Sequence, residues 1–89
     1  MNVSAAELER ALAAALAPDS LTVEDDSRRH AGHAGAAEGS HFNVRIVSPR
    51  FHGLSRVARH RLVYDCLGPL IGRGGIHALA IDARAPGEA

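Results

Sequence analysis

Six histidines and one cysteine are the residues of this 89-residue chain whose types suit metal or redox chemistry. His30-Ala31-Gly32-His33 sets two imidazoles three residues apart in a glycine-bounded stretch, and His77 opens an apolar, strand-like run, Ile76-His77-Ala78-Leu79-Ala80-Ile81. Imidazole is the commonest metal ligand, and its unperturbed pKa lies near neutrality. A loop histidine and a strand-end histidine can form half of a metal site, with the rest supplied by a partner. Structural zinc sites take four ligands. With Cys66 as the single thiol, a complete site within one chain is not expected. Storage of zinc or iron by the histidine loop alone is a further reading. Catalysis has no matching pattern: Ser48 and Ser55 lack acidic and basic companions at motif spacing, and no phosphate loop is present. The chain reads as a binding module and not an enzyme.

Charge leaves one rival. Ten arginines balance ten acids with no lysine, so the net charge is zero and bulk electrostatic binding is disfavoured. The distribution is less even, because Arg50, Arg56, Arg59 and Arg61 occur with no acid until Asp65. This basic patch suits DNA phosphates; otherwise it is a solvated helix face on which Arg61 and Asp65 pair one turn apart. One cysteine makes no internal disulfide, which fits a reducing compartment. The start, Met1-Asn2-Val3-Ser4, lacks a basic n-region and a long apolar stretch. The longest apolar run, Ala11 to Ala17, is far short of the roughly 20 residues that span a membrane. A cytoplasmic protein with no membrane partner is expected, a monomer or weak homodimer when alone.

The elements that must position these groups are legible from periodicity and caps. Ser4-Ala5-Ala6-Glu7 is a capping box, and Leu8, Leu12, Ala15 and Leu16 follow at helical spacing until Pro18 removes an amide donor. This predicts a helix over about Ala5 to Ala17. Leu21 and Val23 alternate with Thr22 and Glu24 as a short strand ended by Asp25-Asp26-Ser27. Residues 28–39, with Gly32, Gly35 and Gly39 and no apolar period, are expected as a flexible loop. A second strand covers about Ser40 to Ser48, with Phe42, Val44 and Ile46 on one face and His41, Asn43 and Arg45 on the other.

Ser55 can cap a second helix from Arg56, in which Val57, His60, Val63, Tyr64, Leu67 and Ile71 form one apolar stripe. Gly68-Pro69 should end or kink it. Gly72-Arg73-Gly74-Gly75 is a turn, a strand follows from Ile76 to Ala83, and residues 84–89 make a loose tail. The order is helix, strand, strand, helix, strand. Its economical packing is an α+β domain spanning 1–89: a three-stranded mixed sheet with the helices on one face. The first two strands pair antiparallel, and the third joins through the helical crossover.

Asp26-Ser27, His30, Gly39-Ser40-His41-Phe42, Val47-Ser48, Phe51-x-Gly53, Arg59-His60-Arg61 and Ile76-His77-Ala78-Leu79, taken together at these spacings, resemble the BolA family. The match runs from the first helix to Pro86. It implies a fold similar to class II KH domains, with αββ(α)αβ topology, in agreement with the element order. It also implies partnership with monothiol glutaredoxins bearing a Cys-Gly-Phe-Ser motif, with a [2Fe–2S] cluster shared between the two proteins. The glutaredoxin cysteine and glutathione supply sulfur. The BolA-like protein supplies one ligand from the His-Ala-Leu motif and one from the loop after the first strand, here His77 and His30. Some members are reported to be DNA-binding regulators, the role to which the four arginines would correspond. Three features depart from the pattern. His33 is an extra loop imidazole and an alternative to His30, Gly68-Pro69 interrupts a helix that usually runs on, and the tail shortens or deletes a last helix.

The remaining candidates read as structural. His60, on the apolar stripe, is expected as a hydrogen-bonded core histidine. His41 braces the loop from the sheet surface, and His52 is exposed. Cys66 is expected to be partly buried and inert. Gly72-Arg73-Gly74-Gly75 has the Gly-x-x-Gly form of a KH clamp, but it links a helix to a strand rather than two helices, so it reads as a simple turn.

Overall fold

The computed structural model describes residues 3–26, 40–72 and 76–88. Helix α1 (Ala5–Leu16) is opened by the expected capping box, with the Ser4 side chain accepting from the Glu7 amide and the Glu7 carboxylate accepting from the Ser4 amide. Leu8, Leu12 and Leu16, each one turn apart, are fully buried. The helix stops one residue earlier than its periodicity predicts. Ala17 takes a left-handed conformation (φ 42°) and returns its amide to the Ala13 carbonyl, because Pro18 cannot extend the helical ladder.

Strands β1 (Ser20–Asp25) and β2 (Ser40–Val47) pair antiparallel, and β2 pairs parallel with β3 (Ile76–Arg84), in the order β1-β2-β3. The sheet is mixed and three-stranded, as expected. Phe42, Val44 and Ile46 alternate into the core, beside Leu21 and Val23 of β1 and Leu79, Ile81 and Ala83 of β3. A 3-10 turn (Pro49–Phe51) buries Phe51 completely, and Gly53 (φ 76°) supplies the left-handed residue that turns the chain toward α2 (Arg56–Cys66). This is the physical content of the Phe-x-Gly motif. Ser55 caps α2 by accepting from the Ala58 amide. The Gly68-Pro69 break resolves into a separate short helix, α3 (Gly68–Gly72). Residues 28–39 and the turn at 73–75 lie outside the described residues.

Two expectations need correction. Helix α2 is turned partly away from its expected stripe: Val63 and Leu67 are buried and Ile71 packs on the core as expected, but Val57 and Tyr64 are 60% and 43% exposed, and Leu62, Cys66 and Leu70 pack inward in their place. Two apolar stripes about one residue apart compete on this helix. The aliphatic one, with more groups in contact with the core, takes the inside. Residues 84–88 are not loose either. Strand β3 runs to Arg84, Ala85 is buried, and Pro86-Gly87 (φ 89° at the glycine) turns the chain so that the Glu88 carboxylate accepts from the Ala85 amide at 3.0 Å.

Ser48 is the one buried polar side chain among the described residues. Its hydroxyl donates to the Leu16 carbonyl (2.7 Å), one of the last orphan acceptors of α1, and accepts from the Arg50 amide (3.1 Å) at the start of the 3-10 turn. Ser48→Ala removes both partners at once and is expected to cost about 1–3 kcal/mol. The check is a lower urea midpoint with an unchanged slope.

Candidate functional site

The end of the sheet where β2 and β3 begin carries the backbone of His77 and both stems of the segment that bears His30 and His33. Ser40 lies opposite Ile76, but His41 lies opposite Ala78, so the parallel register breaks at His77. His77 is the extra residue of an irregularity at the mouth of β3, a placement common for functional residues in sheets. Its side chain lies outside those described, as do His30 and His33 entirely. The segment bearing those two histidines leaves and rejoins the sheet at this same end. Its first stem is fixed: the Asp26 amide donates to the His41 carbonyl at 2.6 Å, and Asn43 Nδ2 donates to Asp26 Oδ2. Asn43, on the sheet face that carries His41, holds the stem in a way that strand periodicity alone could not reveal. His41 is half-buried, and no group of three or more His, Cys, Asp or Glu ligands occurs among the described residues.

Cys66 is half-buried on the inward side of α2. Burial pushes its thiol pKa up, and the neighbouring Asp65 charge adds to the shift, partly offset by Arg50. A thiol held protonated is a poor metal ligand and nucleophile, which agrees with its reading as inert. His52 is exposed, as expected. His60 is not a core residue: it is half-buried and lines an open groove of about 620 Å³ between α2 and the β3 end of the sheet. The rotation of α2 that exposes Val57 also carries His60 out of the core.

The four-arginine patch does not survive as a unit. Arg50, Arg56 and Arg61 are exposed, but the Arg59 side chain is only 14% exposed and fully engaged. Its Nε donates to the Leu54 carbonyl (3.0 Å) and Nη1 to the Ala83 carbonyl (3.2 Å). Its fork also grips both Glu88 oxygens, at 2.6 and 2.9 Å. Arg59 ties the entry to α2, the end of β3 and the C-terminal turn together. No local signal announces this, because Glu88 is distant in sequence and becomes a neighbour only through the parallel crossover.

The Arg59 hydrogen bonds, then the Ala85 amide, lower the Glu88 pKa from 4.5 to about 2. A carboxylate whose folded-state pKa is depressed contributes stability that is complete above its ordinary pKa and is lost as the pH falls through the folded value. The clamp should therefore persist at neutral pH and open progressively from about pH 4.5 toward pH 2. NMR titration of the Glu88 side chain checks this. A midpoint near 4.5 would show that the clamp is not formed, and Arg59→Lys, which lacks the planar fork, should move the midpoint upward.

A family model described as BolA-like protein matches residues 12–88. The chain is 46% identical over 84 residues to an uncharacterised protein encoded in the cobS 5' region of a Sinorhizobium species, covering 91% of this chain and 89% of that protein. It is 51% identical over 80 residues to the chloroplastic and mitochondrial SufE-like protein 1 of Arabidopsis thaliana, covering 82% of this chain but only 21% of that longer relative. Among solved structures, the BolA domain of SufE1 from Arabidopsis thaliana superimposes with a TM-score of 0.83 at 45% identity, covering 100% of this chain and 99% of that one.

Proposed function

This chain belongs to the BolA family, and on that premise we propose that it pairs with a monothiol glutaredoxin of the Cys-Gly-Phe-Ser type to hold or pass on a shared [2Fe–2S] cluster. The observation that carries this reading is the convergence of His77, at the mouth of β3, with both stems of the histidine-bearing segment at one end of the sheet. His30 is four residues from Asp26 and His33 is seven. At up to about 3.3–3.6 Å per residue, either tether covers the roughly 10 Å that separates a first strand from a third.

The donor chemistry fits. His77 and one of His30 or His33 supply neutral imidazoles, while the glutaredoxin cysteine and glutathione supply sulfur. When bound, such a cluster supplies a one-electron centre, whose potential rises as imidazoles replace thiolates. Imidazole ligates only when deprotonated, so acid loosens this protein's side of the pair first. A ligand set divided between two chains makes association and cluster retention depend on each other, which suits transfer.

The test is anaerobic reconstitution of a monothiol glutaredoxin with iron, sulfide and glutathione, with and without this protein. The expected result is co-elution of both proteins with the cluster and a visible spectrum distinct from that of the glutaredoxin alone. An unaltered glutaredoxin spectrum with no co-elution overturns the proposal.

A further inference from the structure

At the opposite end of β3 from His77 lies the groove of about 620 Å³ between α2 and the strand, with Leu54, Ile81 and Ala83 among its lining. Among the described residues strand β3 is an edge of the sheet, since β2 pairs with only one of its sides. The Arg84 carbonyl turns toward β2, where it accepts from the Ser48 amide, so the backbone groups of Ala83 and Ile81 face outward by alternation. The outward Ala83 carbonyl accepts from Arg59 Nη1, a side chain standing where the amide of a further strand would otherwise donate.

The groove already shows how it treats a carboxylate: Glu88 is gripped by the Arg59 fork and by the Ala85 amide. Arg84 is likewise neutralised by Asp82, through contacts of 2.9 and 3.3 Å. Arg56 is exposed on the α2 wall and forms no ion pair among the described residues. One turn along, His60 adds a ring N–H to the same wall. Three arginines against Asp82 and Glu88 leave a single positive charge. That balance suits one or two carboxylates and is unfavourable for a nucleic-acid strand, whose closely spaced phosphates would meet both acids. The other sheet edge, β1, carries Glu24 and Asp25 and repels the same ligand.

We infer that the groove between α2 and the outer edge of β3 is a docking site for an extended acidic peptide segment of a partner protein, with Arg56 and His60 receiving its carboxylates. Such a segment hydrogen-bonds to the free backbone edge around Ile81 and places alternate side chains toward the α2 wall, the general mode of strand addition. This site does not depend on the cluster reading and can be tested on the protein alone.

The experiment is an NMR titration with a blocked hexapeptide alternating glutamate and valine, compared with the same peptide carrying glutamine and with a short DNA duplex. The expected result is saturable shifts at the amides of residues 56–60 and 79–84 with the glutamate peptide only. Arg56→Ala, at an exposed position that leaves the fold intact, should weaken binding by about tenfold. Four outcomes overturn the inference: no shifts at millimolar peptide, equal binding of the glutamine peptide, unchanged affinity in Arg56→Ala, or DNA shifting the same amides at lower concentration.

Discussion

His77→Ala should abolish the distinctive visible spectrum of the anaerobic complex with a monothiol glutaredoxin. The expected loss is large, because removing a direct ligand exceeds the roughly 10–100-fold in metal affinity that loss of an outer-sphere partner costs. It should leave folding intact, since the position lies at a register irregularity at the start of β3. The two loop variants then divide the remaining question. Whichever of His30→Ala and His33→Ala reproduces the His77 result identifies the second ligand, and equal, partial losses from both indicate alternation between them. A complex whose spectrum is the same in wild type and His77→Ala removes His77 from the site. Ligation by neutral imidazole adds a pH dependence: the cluster should be lost from the complex as acid protonates the ligands, at a pH below the ordinary histidine pKa of about 6.5.

The second large effect concerns stability. Phe51 is completely buried at the 3-10 turn, and Phe51→Ala is expected to cost about 3–5 kcal/mol. A domain this small is marginal, with about 60–65% of its surface buried and a total stability of order 5–15 kcal/mol. The variant should therefore be partly unfolded at physiological temperature. Tyr64→Ala is the matched control. It removes an aromatic ring of similar size from the solvent side of α2, where the residue is 43% exposed, and should stay within about 0.5 kcal/mol of wild type. Urea denaturation of the two variants checks both values. Comparable losses would mean that Tyr64 packs inward, as its helical spacing suggests, and that the orientation of α2 is otherwise.

The contrast between Phe51 and Tyr64 marks where sequence reasoning succeeds. Signals carried by neighbours within one turn or one strand were readable: the Ser4–Glu7 capping box, the alternation of Phe42, Val44 and Ile46, the Ser55 cap and the break at Gly68-Pro69. Each is decided by interactions along a few residues, so periodicity and cap chemistry suffice. The rotation of α2 was not readable, because its helical wheel offers two apolar stripes and the core chooses between them. The role of Arg59 escapes local reading for the same reason. Within a local run of arginines it suits a phosphate contact, but its partners Ala83 and Glu88 arrive from the far end of the chain.

The candidate site divides along the same line. Residue types and spacing determined that the chain is an α+β domain with three strands, and they nominate histidine as the candidate ligand of a site that one thiol would not complete. Those conclusions follow from composition, local hydrogen bonding and side-chain period. Tertiary structure alone decided which groups meet. Parallel pairing of β2 with β3 brings the start of β3 beside the stems of the histidine segment. The same crossover takes Arg59 out of the basic patch and opens a groove beside His60. Contacts between residues tens of positions apart depend on strand order and helix rotation, and these are fixed only when the whole core packs at once.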